Sequence, residues 1–345
     1  GAAARRLAPG WRDVSTQKVY WTEFENNKIM LGDADGTAAE VLLSVDDGIA
    51  LPRGIALDEA HCNMYWSQTD KIMTAKLDGT MAQELIDTTA AANGAKDAHG
   101  IELDLTNSKL YWVNGAGGIF RADFDGTNVE EVLAKNFDRE GRIALSATNK
   151  LLYFEKSYAN IKVYNSETQT DRGWYYYNNY QNDMNGGYPL PDEVFFSPSS
   201  IVVDKRDDTV YFGDSTLDNI QKCKVACTSS SLLSTVVGSV GSPTGMAIDI
   251  DFDKIFWTDN AASTILRANL DGSDAETLFQ GSDGVSNPQD LEIMRASLTN
   301  TAFCWTSTTT TVTTTTMTDT STTVTETTLT TETSTTITTT TTSIT

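Results

Sequence analysis

Short stretches of alternating, β-branched and aromatic residues recur along the chain and predict strands rather than helices. Within residues 243–279, GMAID, KIFWTD, ILRANL and AETLF are four such stretches, and the turns between them leave no room for a helix. The third stretch runs into Asp271-Gly272, a dipeptide that favours a tight hairpin. The segment therefore predicts one four-stranded antiparallel unit.

The same unit recurs six times, and its second strand carries an aromatic pair. The pairs are Tyr20-Trp21, Tyr65-Trp66, Tyr111-Trp112, Tyr153-Phe154, Tyr211-Phe212 and Phe256-Trp257, with steps of 45, 46, 42, 58 and 45 residues between them. The first strand recurs as PRGIALD, AHGIELD, EGRIALS, PSSIVVD, PTGMAID and PQDLEIM, and the turn as ADGT, LDGT, FDGT and LDGS. A repeat of this length with four strands per copy predicts an all-β, six-bladed β-propeller.

The two ends of the repeat region complement each other. Blade one opens with KVYWTE (18–23), its second strand, and has no first strand ahead of it. The missing strand is PQDLEIM (288–294), so the ring is predicted to close by pairing these two segments, which hides otherwise open sheet edges. The predicted domains are a lead-in over 1–13, the propeller over 14–300 and a tail over 301–345.

The tail has a composition of its own. Twenty-seven of the 40 residues 306–345 are Thr. Such a segment has little with which to build a core, so it is predicted to be a low-complexity tail that is disordered or extended. An O-glycosylated stalk and an extension without a role are both open.

The charge balance excludes one class of partner. The chain has 47 acidic and 25 basic residues and a net charge of −22. Nucleic-acid binding needs a basic surface, whereas an acidic surface suits cations or basic proteins. No apolar run is long enough for a membrane span within these residues, although an anchor outside them is compatible with the sequence.

The repeated motifs resemble the class B repeat of the low-density lipoprotein receptor family, the YWTD propeller. The resemblance covers about residues 14–294, and blades four and five depart most because they lack the Asp-Gly turn and carry insertions. It implies that the aromatic pairs are structural and that one face binds a protein. In that family such propellers serve endocytic and Wnt co-receptors, but this chain has none of their EGF-like or cysteine-rich modules.

The resemblance and the acidic charge together predict a binding face for a protein ligand with a basic surface. An aromatic insertion over 171–196 supplies part of this face, or alternatively packs down as a lid. The predicted contacts are acids and tyrosines near the ends of strands. They are Glu25, Asp70, Tyr158, Tyr180, Tyr188, Asp192, Glu193, Asp214, Asp218 and Asp259.

The four cysteines indicate in which cellular compartment the protein folds. Cys223 and Cys227 flank the position of the Asp-Gly turn in blade five, and a disulfide between them would close that hairpin. Cys62 and Cys304 are either a second pair or two buried thiols. Disulfides are typical of an oxidising compartment, so we expect an extracellular or cell-surface protein.

Motifs for catalysis are few. The sequence has two histidines and none of the common nucleophile, zinc or phosphate-binding motifs, so no cofactor and no catalytic residue is predicted. The acidic rim is interpreted as solvated, with a Ca²⁺ site as the alternative. The second hypothesis for function is a calcium-dependent lactonase or esterase that uses Glu23, Asn114, Asp214 and Asp259 at the channel.

Overall fold

The computed structural model describes most of the repeat region with its side chains. Side chains are described for residues 17–89, 97–115, 118–133, 141–146, 199–224 and 233–294. The backbone alone is described for residues 151–156, 160–165, 170–174 and 198, and for 309–316, 324–333 and 336–339 in the tail.

The repeat region is a β-propeller with four-stranded antiparallel blades, as the periodicity predicts. The described strands form six such sheets, numbered blade one to blade six after their repeats, and five of them have described side chains in all four strands. No α-helix occurs among the described residues. The strands are listed from first to fourth in each blade. Blade one consists of Pro288–Met294, Lys18–Glu23, Lys28–Asp33 and Glu40–Leu43; blade two of Pro52–Asp58, Asn63–Gln68, Lys71–Lys76 and Gln83–Asp87; and blade three of Ala98–Asp104, Lys109–Asn114, Ile119–Asp123 and Glu130–Leu133. Blade four consists of Ile143–Leu145, Leu151–Lys156, Asn160–Asn165 and Thr170–Trp174; blade five of Pro198–Asp204, Thr209–Asp214, Asn219–Lys224 and Ser234–Gly238; and blade six of Pro243–Asp249, Lys254–Asp259, Thr264–Asn269 and Glu276–Phe279.

The predicted pairing of the two ends of the repeat region is confirmed. Pro288–Met294 lies antiparallel to Lys18–Glu23, with Val19 opposite Ile293 and Trp21 opposite Leu291. The first strands of successive blades also contact one another in the order one to six, and that of blade six contacts that of blade one. Their open edges surround a central channel.

The aromatic pairs fill the wedges between blades. Tyr20 packs in a buried cluster with Trp66 of blade two, whereas Trp21 packs with Phe256 of blade six. Successive side chains of a strand point to opposite faces, so one pair reaches both neighbouring blades. Four of the described pairs contain a Trp, which is at most 1 % exposed in each, and burial of a side chain of this size contributes on the order of 2–3 kcal/mol.

A hydroxyl next to the aromatic pair joins neighbouring blades at the channel. The Ser67 Oγ accepts a hydrogen bond from the Gly54 backbone N at 2.9 Å and donates to the His99 carbonyl of blade three. Thr22 makes the equivalent pair of contacts in blade one. The first strand is bulged at this point, and the hydroxyl satisfies the N–H that the bulge releases.

The tail is extended where the structure describes it. Thr309–Thr316, Val324–Thr333 and Thr336–Thr339 form a three-stranded antiparallel sheet, so for these strands the prediction of disorder is wrong and the alternative, an extended chain, is confirmed. Threonine is β-branched and favours extended backbone, and the register places Thr opposite Thr at several positions, such as Thr313 and Thr327.

Candidate functional site

The candidate site is the edge of the blades on which second strands end and first strands begin, here called the upper face. In an antiparallel meander this edge carries both the turns between second and third strands and the connections between blades. The two kinds of connection bond to each other, for example Phe24 N to Asn287 O at 3.2 Å and Thr88 N to Asp70 O at 2.9 Å. The upper face is therefore held together by its backbone.

Three of the predicted binding residues lie in upper-face connections with their side chains at the surface. Glu25 and Asp218 are exposed, and Asp70 is half-buried. The other predicted contacts outside the strands lie beyond the described residues. These are Tyr158, Tyr180, Tyr188, Asp192 and Glu193.

Asp214 and Asp259, by contrast, are buried and bond to their own connections. The Asp214 carboxylate accepts backbone hydrogen bonds from Thr216 and Leu217 at 2.8 Å each. Asp259 Oδ1 accepts from the Ser242 N at 3.1 Å and the Ala262 N at 3.1 Å. These contacts assign both carboxylates to positioning the upper face, because Oδ1 of each one accepts hydrogen bonds from two backbone N–H groups.

The other two residues of the enzyme hypothesis, Glu23 and Asn114, also accept hydrogen bonds from nearby backbone N–H groups. Glu23 is buried, and its carboxylate accepts from the Trp21 indole at 2.9 Å and from the backbone of Ser286 and Asn287 at 3.0 and 2.7 Å. Burial raises the pKa of Glu23 above its ordinary value, although the three donors oppose this. Asn114 Oδ1 accepts from the Gly118 N at 2.6 Å. In the described part of the chain, no three His, Cys, Asp or Glu side chains converge to hold a metal ion.

The sequence analysis did not predict a cluster of charged side chains in the central channel. Arg142 and Asp290 occupy the position at which three other first strands carry Gly, and Glu102 and Glu292 occupy a position at which three others carry Ala. Arg142 reaches across the channel to Asp290 at 3.1 Å, and Lys205 contacts Glu102 at 2.8 Å. A cavity of about 90 Å³ lies among these side chains. Departure from the repeat at channel-facing positions is the signal that would have identified them.

Three carboxylates and two cations share this channel, and two of the acids, Asp290 and Glu292, have raised pKa values. Burial, together with the neighbouring Glu102 and Asp290 carboxylates, raises the pKa of Glu292 to about 8, against the smaller opposing effect of Lys205. Burial also raises the pKa of Asp290 to about 6, against the opposing effect of Arg142. Near neutral pH the cluster therefore holds a proton on Glu292.

This proton predicts a pH-dependent stability. The folded-state pKa of Glu292 lies above its ordinary value of 4.5, so its contribution is complete below about pH 4.5 and is lost as the pH rises through 8. We expect Glu292→Gln to remove about 2 kcal/mol of the fall in unfolding free energy between about pH 6 and 9. Urea unfolding across this range is the measurement, with exposed Glu40→Gln as the control. Parallel pH profiles for wild type and Glu292→Gln would contradict the assignment.

Two of the four cysteines, Cys62 and Cys223, lie among the described residues. Cys62 is disulfide-bonded, while Cys304, its predicted partner, lies outside the described residues. Cys223 lies in Asn219–Lys224 and is half-buried, and Cys227 lies outside the described residues, so the Cys223–Cys227 bridge stays a prediction. Where the structure describes the chain, it contains no helix long and apolar enough to cross a bilayer.

Comparison with known proteins agrees with this architecture. Residues 17–59 and 253–291 match the low-density lipoprotein receptor repeat class B. Protein cueball of Drosophila erecta is 26% identical over 151 residues, which are 41% of this chain and 22% of that protein, so the chain spans about a fifth of its relative.

Two solved structures show the fold. A chain of a nidogen/laminin complex superposes with a TM-score of 0.65 at 15% identity, covering 81% of this chain and 99% of that one. A gluconolactonase from Xanthomonas campestris superposes with a TM-score of 0.52 at 14% identity, covering 70% and 79%. The chain is therefore a β-propeller in which residues 17–59 and 253–291 match the low-density lipoprotein receptor repeat class B.

Proposed function

We propose that this protein is a non-enzymatic module that binds a protein ligand with a basic surface through its upper face. The observation that carries the proposal is the direction of the polar side chains at the strand ends. Glu23, Asp214 and Asp259 turn inward and bond to backbone N–H groups, whereas Glu25 faces solvent. Asp218 is also exposed, although its Oδ1 accepts a hydrogen bond from the Gly241 N at 2.6 Å. The result is a rigid acidic surface, which suits recognition better than proton transfer.

The proposed body of the protein is a six-bladed ring over residues 14–300, with a lead-in over 1–13 and a tail over 301–345. The unbroken succession of contacts between the first strands supports six blades. So does the terminal pairing, which leaves blade one with four strands like the others.

We also propose an extracellular or cell-surface location and a protein partner. The disulfide at Cys62 supports an oxidising compartment. The structural likeness to a chain of a nidogen/laminin complex supports a partner that is itself a protein, and laminin is the first natural protein to test. The net charge of −22 favours a basic partner through electrostatic steering.

The test uses a displayed library of random peptides at about 50 mM salt, where surface charges are weakly screened. We expect Lys- and Arg-rich peptides to be enriched. Glu25→Gln with Asp70→Asn should weaken their binding about threefold to tenfold, because two upper-face charges are removed. The control, Glu40→Gln with Asp251→Asn, removes two exposed charges elsewhere and should leave binding unchanged.

Two results would count against the proposal. One is the absence of any enrichment of cationic peptides; the other is equal weakening by the upper-face pair and the control pair. The lactonase hypothesis is examined on the same protein by measuring hydrolysis of a small lactone with and without Ca²⁺. Turnover that is lost in Glu23→Gln or Asp214→Asn while the protein stays folded would establish an enzyme instead.

A further inference from the structure

Two connections on the upper face share the backbone of their first five residues but differ in chemistry. Residues 44–51 and 280–287 each join a fourth strand to the next first strand, and each begins with a single 3-10 turn. In the first, the Asp47 carboxylate accepts from the Ser44 N at 2.9 Å; in the second, Asp283 accepts from the Gln280 N at 3.0 Å. The two turns therefore share this bond, and only the first has a side-chain cap, in which Ser44 Oγ accepts from the Asp46 N at 3.3 Å.

The match continues through the second half of each connection. Gly48 and Gly284 end the turns in the left-handed region, with φ of 84° and 90°. The next residue in each, Ile49 or Val285, is 2 % exposed and anchors the connection to the core. The folding requirements of this connection are thus met by its caps, its glycine and its buried aliphatic residue.

The exposed positions are where the two connections differ. The 280–287 connection carries Gly281 and Asn287 at the positions where the 44–51 connection carries Val45 and Leu51. Val45 is 60 % exposed and Leu51 38 % exposed. Since the second connection folds without them, these two apolar side chains are not required by the fold.

Leu51 is also held in an unfavourable backbone conformation. Its φ is +50°, a region that Asn and Gly tolerate but that branched apolar residues rarely adopt. Its backbone N donates to Asn27 Oδ1 at 2.7 Å, which fixes it against the 24–27 turn. This contact holds residue 51 in a conformation that Leu does not favour, so Leu is not selected by the backbone at this position.

The charges around this connection define the partner. Asp46 is exposed and follows Val45 directly, and Glu25 lies in the turn that holds Leu51. We propose that the 44–51 connection is a docking surface for a segment of another protein that carries an apolar side chain flanked by Lys or Arg. This inference rests on the proposed function and specifies which part of the upper face recognises the ligand.

The test uses three synthetic peptides as probes and the full chain as the receptor. The first has a Leu-Phe pair between Lys-Arg pairs; the second replaces Leu-Phe with Ser-Ser; the third keeps Leu-Phe between Glu pairs. By fluorescence anisotropy we expect the first to bind about tenfold more tightly than the second, and the third not to bind. The ratio of the first two affinities isolates the apolar contact from the charge.

The receptor variant is Val45→Gly with Leu51→Asn, which installs the residues of the sister connection. Because Asn tolerates the backbone of residue 51, we expect the melting temperature to stay within about 2 °C of wild type or to rise. The affinity ratio between the first two peptides should fall from about ten to about one. The matched control is Met81→Asn, since Met81 is 70 % exposed with φ of +58° but lies in a turn at the opposite edge of blade two. That variant should keep the ratio.

The outcomes separate this inference from the proposed function. If cationic peptides bind but the ratio is the same in wild type and in Val45→Gly with Leu51→Asn, the docking surface is overturned and the acidic face stands. If Met81→Asn lowers the ratio equally, the docking surface is likewise overturned. If none of the peptides binds at about 50 mM salt, both the docking surface and the proposed function fail.

Discussion

Replacing Gly272 with Ala is expected to destabilise the protein by about 3–5 kcal/mol. Gly272 has φ of +88°, where an L-residue is strained. A Cβ added there would also lie 1.8 Å from the carbonyl oxygen of Val236, in the fourth strand of blade five. Neither atom belongs to a flexible side chain, so the blades themselves would have to move apart.

This contact repeats around the ring, which makes it a feature of the architecture. The Asp-Gly turn of a blade lies against the carbonyl of a fourth-strand residue in the preceding blade. The equivalent pairs are Gly36 with Leu278, Gly79 with Leu42 and Gly126 with Leu85. The glycine is thus required twice, once for the turn and once for the distance between blades.

Two further glycines separate these requirements. Gly48 has φ of +84° and open space where a Cβ would lie, so Gly48→Ala should cost only about 1 kcal/mol. Gly281 has open space and no positive φ, so Gly281→Ala should be neutral or slightly stabilising. Guanidinium unfolding of the three variants measures the order. A Gly272→Ala variant as stable as Gly48→Ala would show that the blade contact is not tight.

Much of the fold can be predicted from the sequence because each repeat carries the same strand and turn patterns. The aromatic pair, the alternating first strand and the Asp-Gly turn are local patterns, and six copies agree on the same four strands. The terminal pairing follows as well, since blade one lacks a first strand and residues 288–294 have its pattern. A repeat fold can be predicted in this way because its long-range contacts copy one another.

The site is less predictable because its contacts are not copies. Arg142 and Asp290 meet across the channel only after the ring has formed, and neither belongs to a local motif. Asp214 and Glu25 both lie near the ends of second strands, yet one turns inward to backbone N–H groups and the other faces solvent. Sequence alone does not distinguish the two directions, because both suit a carboxylate next to a turn.

The 44–51 and 280–287 connections can already be aligned in the sequence. SVDDGIALP and QGSDGVSNP have the capping Asp and the glycine in the same register. Their exposed positions differ, but the importance of that difference depends on knowing that Val45 and Leu51 reach the surface. Exposure is set by packing across blades, which no single repeat encodes.

Removing residues 288–294 is expected to abolish cooperative unfolding. Leu291, Ile293 and Met294 are at most 5 % exposed, and each contributes on the order of 1.5–3 kcal/mol by burial. Their loss also leaves Lys18–Glu23 with an open edge in the centre of the ring. The combined cost equals most of the 5–15 kcal/mol that typically stabilises a domain, so the truncated chain should aggregate.

The most direct measurement compares the thermal unfolding of two truncated chains by circular dichroism. One ends at Met294 and keeps the closing strand; the other ends at Asn287 and lacks it, and both lose Cys304 and the tail. Closure of the ring by Pro288–Met294 predicts a single cooperative transition for the longer chain and none for the shorter one. Two coincident melting curves would contradict it.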